Sequence, residues 1–171
     1  PIIAIKVSDI DNDLSKEIIA GTAGGFIFVY DTESFKKKWD NLHEGLGSLN
    51  GLVVEDIDGD GKEEIIAYNS EHIFIIEGQS YFSEWTSEEG VGAEKVVIGN
   101  VDQQAGLELV TNTGYVIDPE FYRIKWKYEP GFGQNIWLFN LDDDQPYELI
   151  GSDDQKKLTV YDLDIKSARI R

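Results

Sequence analysis

The chain has 171 residues, of which 41% are hydrophobic, so it can form one domain with a sizeable core and is not disordered throughout. Its 33 acidic and 15 basic residues give a net charge of −18, which repels nucleic acid and anionic membranes and suits cations or a basic partner. Cysteine is absent, which excludes disulfides, thiolate nucleophiles and zinc–thiolate sites.

The same sequence pattern occurs four times along the chain. Each copy has an acidic loop between two apolar runs, and the loops begin at Asp9, Asp56, Asn100 and Asn140, which lie 47, 44 and 40 residues apart. A second apolar run then closes with an acid, and a third run ends in tryptophan in the first three copies. The strands predicted after the loops are 17–22, 26–31, 35–39, 64–69, 73–78, 81–85, 108–113, 114–119, 122–126, 148–153 and 158–163.

Tandem four-stranded antiparallel units of this length predict an all-β fold. We expect a single β-propeller domain or segment, with blades at about 1–46, 47–91, 92–132 and 133–171. No helical apolar period is long enough for a core helix, although residues 32–42 could form one or two helical turns instead. The four blades could close a ring or be part of a larger one. Because the chain begins with Pro1 and has no methionine, we favour a segment and expect any export signal to lie outside it.

The second acidic loop has the spacing of a calcium site. Its positions 1, 3, 5, 7 and 9 are Asp56, Asp58, Asp60, Lys62 and Glu64. In a tightly curled loop, four carboxylates and the Lys62 carbonyl can surround one ion, and this number of hard oxygen ligands suits Ca²⁺. The ion would cancel the repulsion among the carboxylates, and the glycines at positions 4 and 6 would supply the positive φ of the curl. An EF-hand would need a glutamate at position 12 and flanking helices.

The other three loops keep this ligand pattern to different degrees. The first loop retains every ligand but has Leu14 in place of a glycine, which should strain the turn; its ligands are Asp9, Asp11, Asp13, the Ser15 carbonyl and Glu17. The fourth loop offers Asn140, Asp142, Asp144, the Pro146 carbonyl and Glu148. The third loop is a weak site with only Asn100, Asp102 and Glu108, and there a solvated polar turn is the better interpretation. We therefore expect two or three Ca²⁺ ions.

Two stretches resemble known propeller repeats. DIDGDGKEEIIA at 56–67 resembles the calcium loop of the FG-GAP/VCBS repeats that form the blades of integrin α-subunit propellers, and IIAGTAGGFIFVYD at 18–31 is similar to PQQ-like blades of microbial surface proteins. The resemblance covers all four copies. It implies a propeller with Ca²⁺ between the first and second strands of a blade, held by the acids and Asn140 at the loop positions given above. It also implies a role in adhesion or in protein or glycan recognition. The Gly-Ala-Pro half of the FG-GAP signature is absent, and four copies replace the usual seven.

The antiparallel order of strands places the acidic loops and the blade-to-blade links at opposite ends of each blade. The links contain Gly-apolar-Gly at 45–47, 90–92 and 131–133. We expect the link end to be the docking surface, although these segments could simply be tight turns. The exposed candidates for partner contact are His43, Glu44, Glu88, Glu89, Tyr128 and Phe132. The tryptophans at 39, 85 and 126 are expected to pack between blades.

The residues favour a binding module over an enzyme. The two histidines, His43 and His72, lie in different copies, and no nucleophile–His–acid spacing, phosphate loop or G-x-S-x-G motif is present. The acids follow the repeat, whereas a catalytic residue should break it. We expect a non-enzymatic, extracellular or cell-surface recognition or adhesion module with a protein or glycan partner. No nucleic-acid binding or membrane insertion is expected, and further blades or a second copy would complete a larger ring. The alternatives are an intracellular scaffold propeller and a lectin or polysaccharide lyase-like enzyme.

Overall fold

The computed structural model describes residues 1–142 and 146–164 and the backbone of 167–170. Over these residues the chain forms strands and turns and no helix, and thus no helix that could span a bilayer. The strands are β1 Ile2–Ser8, β2 Glu17–Thr22, β3 Ile27–Asp31, β4 Lys37–Asp40, β5 Gly51–Glu55, β6 Glu64–Tyr68, β7 Ile73–Glu77, β8 Ser83–Thr86, β9 Val96–Gly99, β10 Glu108–Thr111, β11 Tyr115–Asp118, β12 Arg123–Lys127, β13 Asn135–Phe139, β14 Glu148–Ser152, β15 Leu158–Asp162 and β16 Ser167–Ile170.

The strands form four sheets of four, and each sheet is an antiparallel meander of consecutive strands. This arrangement confirms the predicted all-β fold of four-stranded propeller blades. The helical alternative for residues 32–42 is wrong, because β4 pairs with β3 there after a tight turn. That turn is closed by the Asp31 carboxylate, which accepts the amide of Ser34 at 2.6 Å, and a right-handed helix cannot continue because Phe35 has a φ of 54°.

The chain divides into two compact units, Pro1–Ala93 and Glu94–Arg171, with two blades in each. In the first unit β1 contacts β5, and in the second β9 contacts β13, so the first strands of the paired blades lie side by side. The second strands are the most buried; like the third strands, they have a neighbouring strand on each side. All of β6 is buried, and Ile19 of β2 and Leu149 of β14 are fully buried within their units.

A β-bulge interrupts the outer strand pair of the first three blades. Trp39 pairs with Val29 and Lys37 pairs with Tyr30, so Lys38 is an extra residue between two ladder positions. The same register shift leaves Glu84 as the extra residue in the second blade and Lys125 in the third. The pairing of β15 with β16 in the fourth blade is regular. We call residues 38, 84 and 125 the bulge residues.

The second and third links between blades turn an apolar side chain into the core. Phe132 is 1% exposed and Val91 is 5% exposed. Phe132 packs against Trp126, Tyr128 and Tyr161, with ring centroids 6.0, 5.5 and 5.0 Å away. The prediction that Phe132 is an exposed partner contact is therefore wrong. The chain turns at the two flanking glycines, and the phenyl ring is buried in the core instead of being exposed to solvent.

The other candidates for partner contact and the first tryptophan agree better with the predicted exposure and the predicted packing between blades. Tyr128 is half-buried, and the four remaining candidates for partner contact are exposed, namely His43, Glu44, Glu88 and Glu89. Trp39 stacks on Tyr81 of the next blade, with centroids 5.1 Å apart and planes within 11°. The predicted packing of tryptophan between neighbouring blades is thus present in the first unit.

Candidate cation-binding loops

A buried glutamate lies beneath each acidic loop. The glutamate at loop position 9 begins the second strand, and its Oε2 accepts a hydrogen bond from the backbone amide at position 2. These bonds are Glu17 to Ile10 at 3.1 Å, Glu64 to Ile57 at 3.0 Å, Glu108 to Val101 at 3.0 Å and Glu148 to Leu141 at 2.7 Å. The four glutamates are 0–8% exposed. The repeat therefore fixes a carboxylate inside every loop, where the other carboxylate oxygen can bind a cation.

The second loop brings three of its predicted ligands together. Carboxylate oxygens of Asp56, Asp58 and Glu64 all lie within 4.8 Å of one another. Asp56 accepts the amides of Gly59 and Gly61 at 2.8 and 3.0 Å, and these glycines have φ of 79° and 88°, as the curled loop requires.

Asp60, the remaining predicted carboxylate ligand of the second loop, is outside this set of three. One oxygen accepts the Lys62 amide at 2.8 Å, and the other lies 3.6 Å from the Lys62 ammonium. The structure thus places Asp60 and Lys62 together at the exposed side of the loop. Of the four predicted carboxylate ligands, it gathers Asp56, Asp58 and Glu64.

The first loop also gathers its acids, but around a lysine. Oxygens of Asp9, Asp11 and Asp13 lie within 4.8 Å of one another. The ammonium of Lys38, the bulge residue of that blade, contacts Asp11 and lies 2.9 Å from Asp13 and 3.1 Å from Glu17. One oxygen of Asp11 is buried without a hydrogen bond from the described residues. A cationic group of the chain itself therefore lies where an ion was predicted.

The third loop repeats this arrangement with fewer acids. Lys125, its bulge residue, contacts Asp102 and lies 3.0 Å from Glu108. Asn100 turns its amide group toward the Gln104 carbonyl, at 2.8 Å. The predicted weak ligands Asn100, Asp102 and Glu108 thus lie at one loop, and an ammonium already pairs with two of them.

The fourth loop is described only in part. The predicted ligand Asp144 lies outside the described residues. Asn140 and Asp142 lie at the start of the loop, Pro146 is buried, and Glu148 accepts the Leu141 amide as in the other blades. The shared glutamate contact is therefore present in the fourth blade.

The charges alter the titration of the buried glutamates. Burial raises the pKa of Glu64 to about 8; the amide of Ile57 opposes this shift, while Asp58, Glu84 and Asp56 add to it. A carboxyl group with this pKa binds a proton at neutral pH unless a cation replaces the proton.

In the first loop, the lysine at the bulge position changes the titration. Burial raises the pKa of Glu17, and the hydrogen bond from Lys38 opposes the shift. Burial would lower the pKa of Lys38 itself, but its hydrogen bonds to Asp11, Asp13 and Glu17 outweigh burial and raise that pKa above its ordinary value. Lys38 is therefore charged at neutral pH, and it balances part of the loop's negative charge.

The sequence analysis missed the bulge residues Lys38, Glu84 and Lys125 as parts of these sites. The signal available was their constant position, one residue before tryptophan in three repeats. In the second loop the three gathered carboxylates contact no lysine among the described residues, and such oxygen donors fit Ca²⁺. In the first and third loops the equivalent carboxylates already contact the ammonium of a lysine.

The leucine at loop position 6 provides a test of the loop geometry. Leu14 has φ of 74° and is 93% exposed, so its side chain makes few contacts while its backbone is strained. We expect Leu14→Gly to stabilise the protein by about 0.5–1 kcal/mol. Glycine adopts this φ without strain, and the relief of strain outweighs the extra conformational freedom that glycine has in the unfolded chain. Urea unfolding measures the difference. Leu42→Gly is the control: Leu42 is also exposed but has no positive φ, and its replacement should destabilise. Equal losses in both variants would contradict the assignment of strain.

Comparisons with known proteins give the fold. No family model and no curated protein match the chain. Among solved structures, BBS1N in complex with ARL6DN, in a crystal soaked with lead, has a TM-score of 0.68 at 12% identity, covering 98% of this chain and 55% of that one. The V. cholerae biofilm matrix protein Bap1 has a TM-score of 0.69 at 21% identity, covering 96% of this chain and 27% of that one. The chain thus spans little more than half of one matched chain and about a quarter of the other, and its similarity to them is one of fold.

Proposed function

We propose that the chain is a non-enzymatic, Ca²⁺-binding β-propeller module for recognition or adhesion outside the cell or at its surface. One observation carries the calcium assignment: Asp56, Asp58 and the buried Glu64 converge within 4.8 Å. Among the described residues no ion pair neutralises Glu64. Carboxylates held this closely repel one another, and a hard divalent cation removes that penalty.

Calcium at this loop would be structural. Asp56, Asp58 and Glu64 would hold it, and it would supply positive charge that fixes the loop against the start of β6. Non-enzymatic function is supported by the repetition of the acids from blade to blade, since a catalytic carboxylate would need surroundings of its own. The loop would therefore stiffen one end of a blade and leave the other end for binding.

A protein or glycan partner fits both fold neighbours. One was solved in complex with ARL6DN, and the other is a biofilm matrix protein. For this chain we propose docking at the link end, where the exposed residues are His43, Glu44, Glu88 and Glu89. A basic protein surface suits the glutamates among them and the net charge of −18.

The first strand supports the proposal that further blades or a second copy complete a larger ring. Ile2, Ile5 and Val7 of β1 are 60%, 57% and 54% exposed, whereas the corresponding strand of the second blade, β5, is mostly buried. An apolar row of this kind is what a neighbouring blade covers.

The test is a Ca²⁺ titration of chelator-treated protein by calorimetry, with thermal melts at each concentration. We expect binding and a rise in melting temperature, because an ion that binds only the folded state stabilises it by about 2.7 kcal/mol at 100 times its Kd. Asp58→Asn should abolish most of the rise, and Asp154→Asn, at an exposed aspartate outside the loops, should preserve it. Binding near millimolar Ca²⁺ favours an extracellular module. Neither heat nor a temperature shift at several millimolar would reject calcium and favour an intracellular scaffold.

A further inference from the structure

We propose that the bulge residue before each tryptophan decides which cation its acidic loop holds. In the first and third blades a lysine at this position is a built-in counterion that excludes Ca²⁺. In the second blade a glutamate leaves the loop to the metal and adds negative charge to it. The identity of the metal rests on the proposed function. The effect of the bulge residue on cation binding does not depend on that identity.

The bulge explains how a side chain of the fourth strand contacts the loop between the first and second strands of the blade. The extra residue breaks the alternation of the β3–β4 ladder, and Lys38 lies over the loop beside Trp39. Its ammonium contacts carboxylates at loop positions 3, 5 and 9, namely Asp11, Asp13 and Glu17. These are three of the positions at which the metal ligands were expected.

The third blade repeats this geometry independently. Lys125 occupies the same register of its strand pair and contacts positions 3 and 9 of its own loop, Asp102 and Glu108. In both blades the lysine binds the oxygen of the buried glutamate that the backbone amide leaves free. Because the same contact occurs in two blades, the position of the ammonium is set by the repeat and is not a chance surface ion pair.

The second blade has the same bulge with the opposite charge. Glu84 replaces the lysine at the same register of the strand pair, so this position carries a negative charge in place of an ammonium. Glu64 is 2% exposed, and its Oε2 accepts the Ile57 amide. Its Oε1 receives no hydrogen bond or ammonium contact from the described residues. The nearby Lys62 lies on the outside, 3.6 Å from Asp60 and 3.8 Å from Glu77. A carboxylate oxygen of Glu64 lies within 4.8 Å of oxygens of Asp56 and Asp58, so the cation that balances this loop has to come from solution.

Electrostatics then separates the two kinds of loop. A divalent ion entering the first loop would meet the ammonium of Lys38 among the same three carboxylates and would be repelled by it. Displacing the lysine would also give up its three contacts. In the second loop no ammonium of the described residues contacts Asp56, Asp58 or Glu64, because Lys62 lies beside Asp60 and Glu77.

The experiment exchanges the charges of the bulge residues and counts bound Ca²⁺ by calorimetry, with thermal melts alongside. Relative to the natural chain, Glu84→Lys should lose one ion and the calcium-dependent rise in melting temperature that belongs to the second loop. Lys38→Glu should gain one ion. Lys36→Glu is the matched control, because Lys36 is exposed, makes no ion pair within the described residues and changes the net charge equally.

The variants remain informative if one of them folds poorly. Glu84→Lys installs the ammonium that the first and third blades already carry, so it should fold without metal, and Lys38→Gln is a milder replacement in the first loop. If the natural chain binds Ca²⁺ but Glu84→Lys retains every ion, the role of the bulge residue is refuted while the calcium function stands. If the natural chain binds none, calcium as its ligand is refuted, and Lys38→Glu decides alone: a gained ion supports the role of the bulge residue, and no gain overturns it.

Discussion

Without metal, the protein should lose stability as the pH rises from about 4.5 to about 8, and Glu64 should account for most of that loss. The pKa of this carboxyl group is 4.5 unfolded and about 8 folded, mainly because it is buried. The folded state therefore holds the proton more tightly. Its stabilising effect is complete below pH 4.5 and disappears as the pH passes through 8, by an amount on the order of 5 kcal/mol.

Urea unfolding at half-unit steps of pH, with chelator present, measures this slope. Glu64→Gln keeps the size of the side chain but cannot ionise, so it should flatten the curve and abolish the effect of Ca²⁺. The lowered pKa values of Asp13 and Asp31 act in the opposite direction and at more acidic pH, so they do not mimic the effect. A slope that persists unchanged in Glu64→Gln would contradict the assignment to this residue.

Calcium should reverse the same dependence. A metal ligand has to be deprotonated, so Ca²⁺ binding near pH 7 should release a proton from Glu64 and become tighter as the pH rises. Calorimetry in two buffers with different ionisation enthalpies measures the released proton. Glu84→Lys provides the comparison, because there an ammonium replaces both the proton and the metal.

The repeat carried most of the information about the fold. Alternating apolar residues and regular acidic loops predicted four-stranded blades, and Gly59 and Gly61 have the positive φ expected of the second loop. The glutamate at position 9, singled out from its spacing, accepts a loop amide in each repeat, and its role as a metal ligand stays a prediction. What these features share is that each depends on neighbours within a few residues along the chain.

The missed features depend on contacts between distant segments. Lys38 reaches Asp13 and Glu17 from 25 and 21 residues away, and only because a bulge shifts the register of its strand. A lysine within FKKKW looks like any other lysine of a solvated strand. Phe132 was misplaced for a similar reason, since a loop between two glycines resembles an exposed turn until its apolar residue is seen to insert between blades.

That insertion gives the largest expected effect of a single substitution. Phe132→Ala removes a ring that is 1% exposed and packed among Trp126, Tyr128 and Tyr161. We expect a loss of about 3–5 kcal/mol, because the flanking link cannot collapse to fill the cavity. The Phe132 amide is bonded to the Asn112 carbonyl at 2.8 Å, and a Cβ at Gly133 would lie 2.5 Å from the Ser152 carbonyl oxygen.

Urea unfolding followed by tryptophan fluorescence reports this loss, since Trp126 lies against the missing ring. Phe121→Ala in the same unit is the control, because Phe121 is 60% exposed and its removal should change stability by less than about 0.5 kcal/mol. A lost partner interaction in Phe132→Ala would then follow from unfolding of the link and would not identify a binding residue. If both variants unfold at the same urea concentration, the ring is not the anchor of this unit's core.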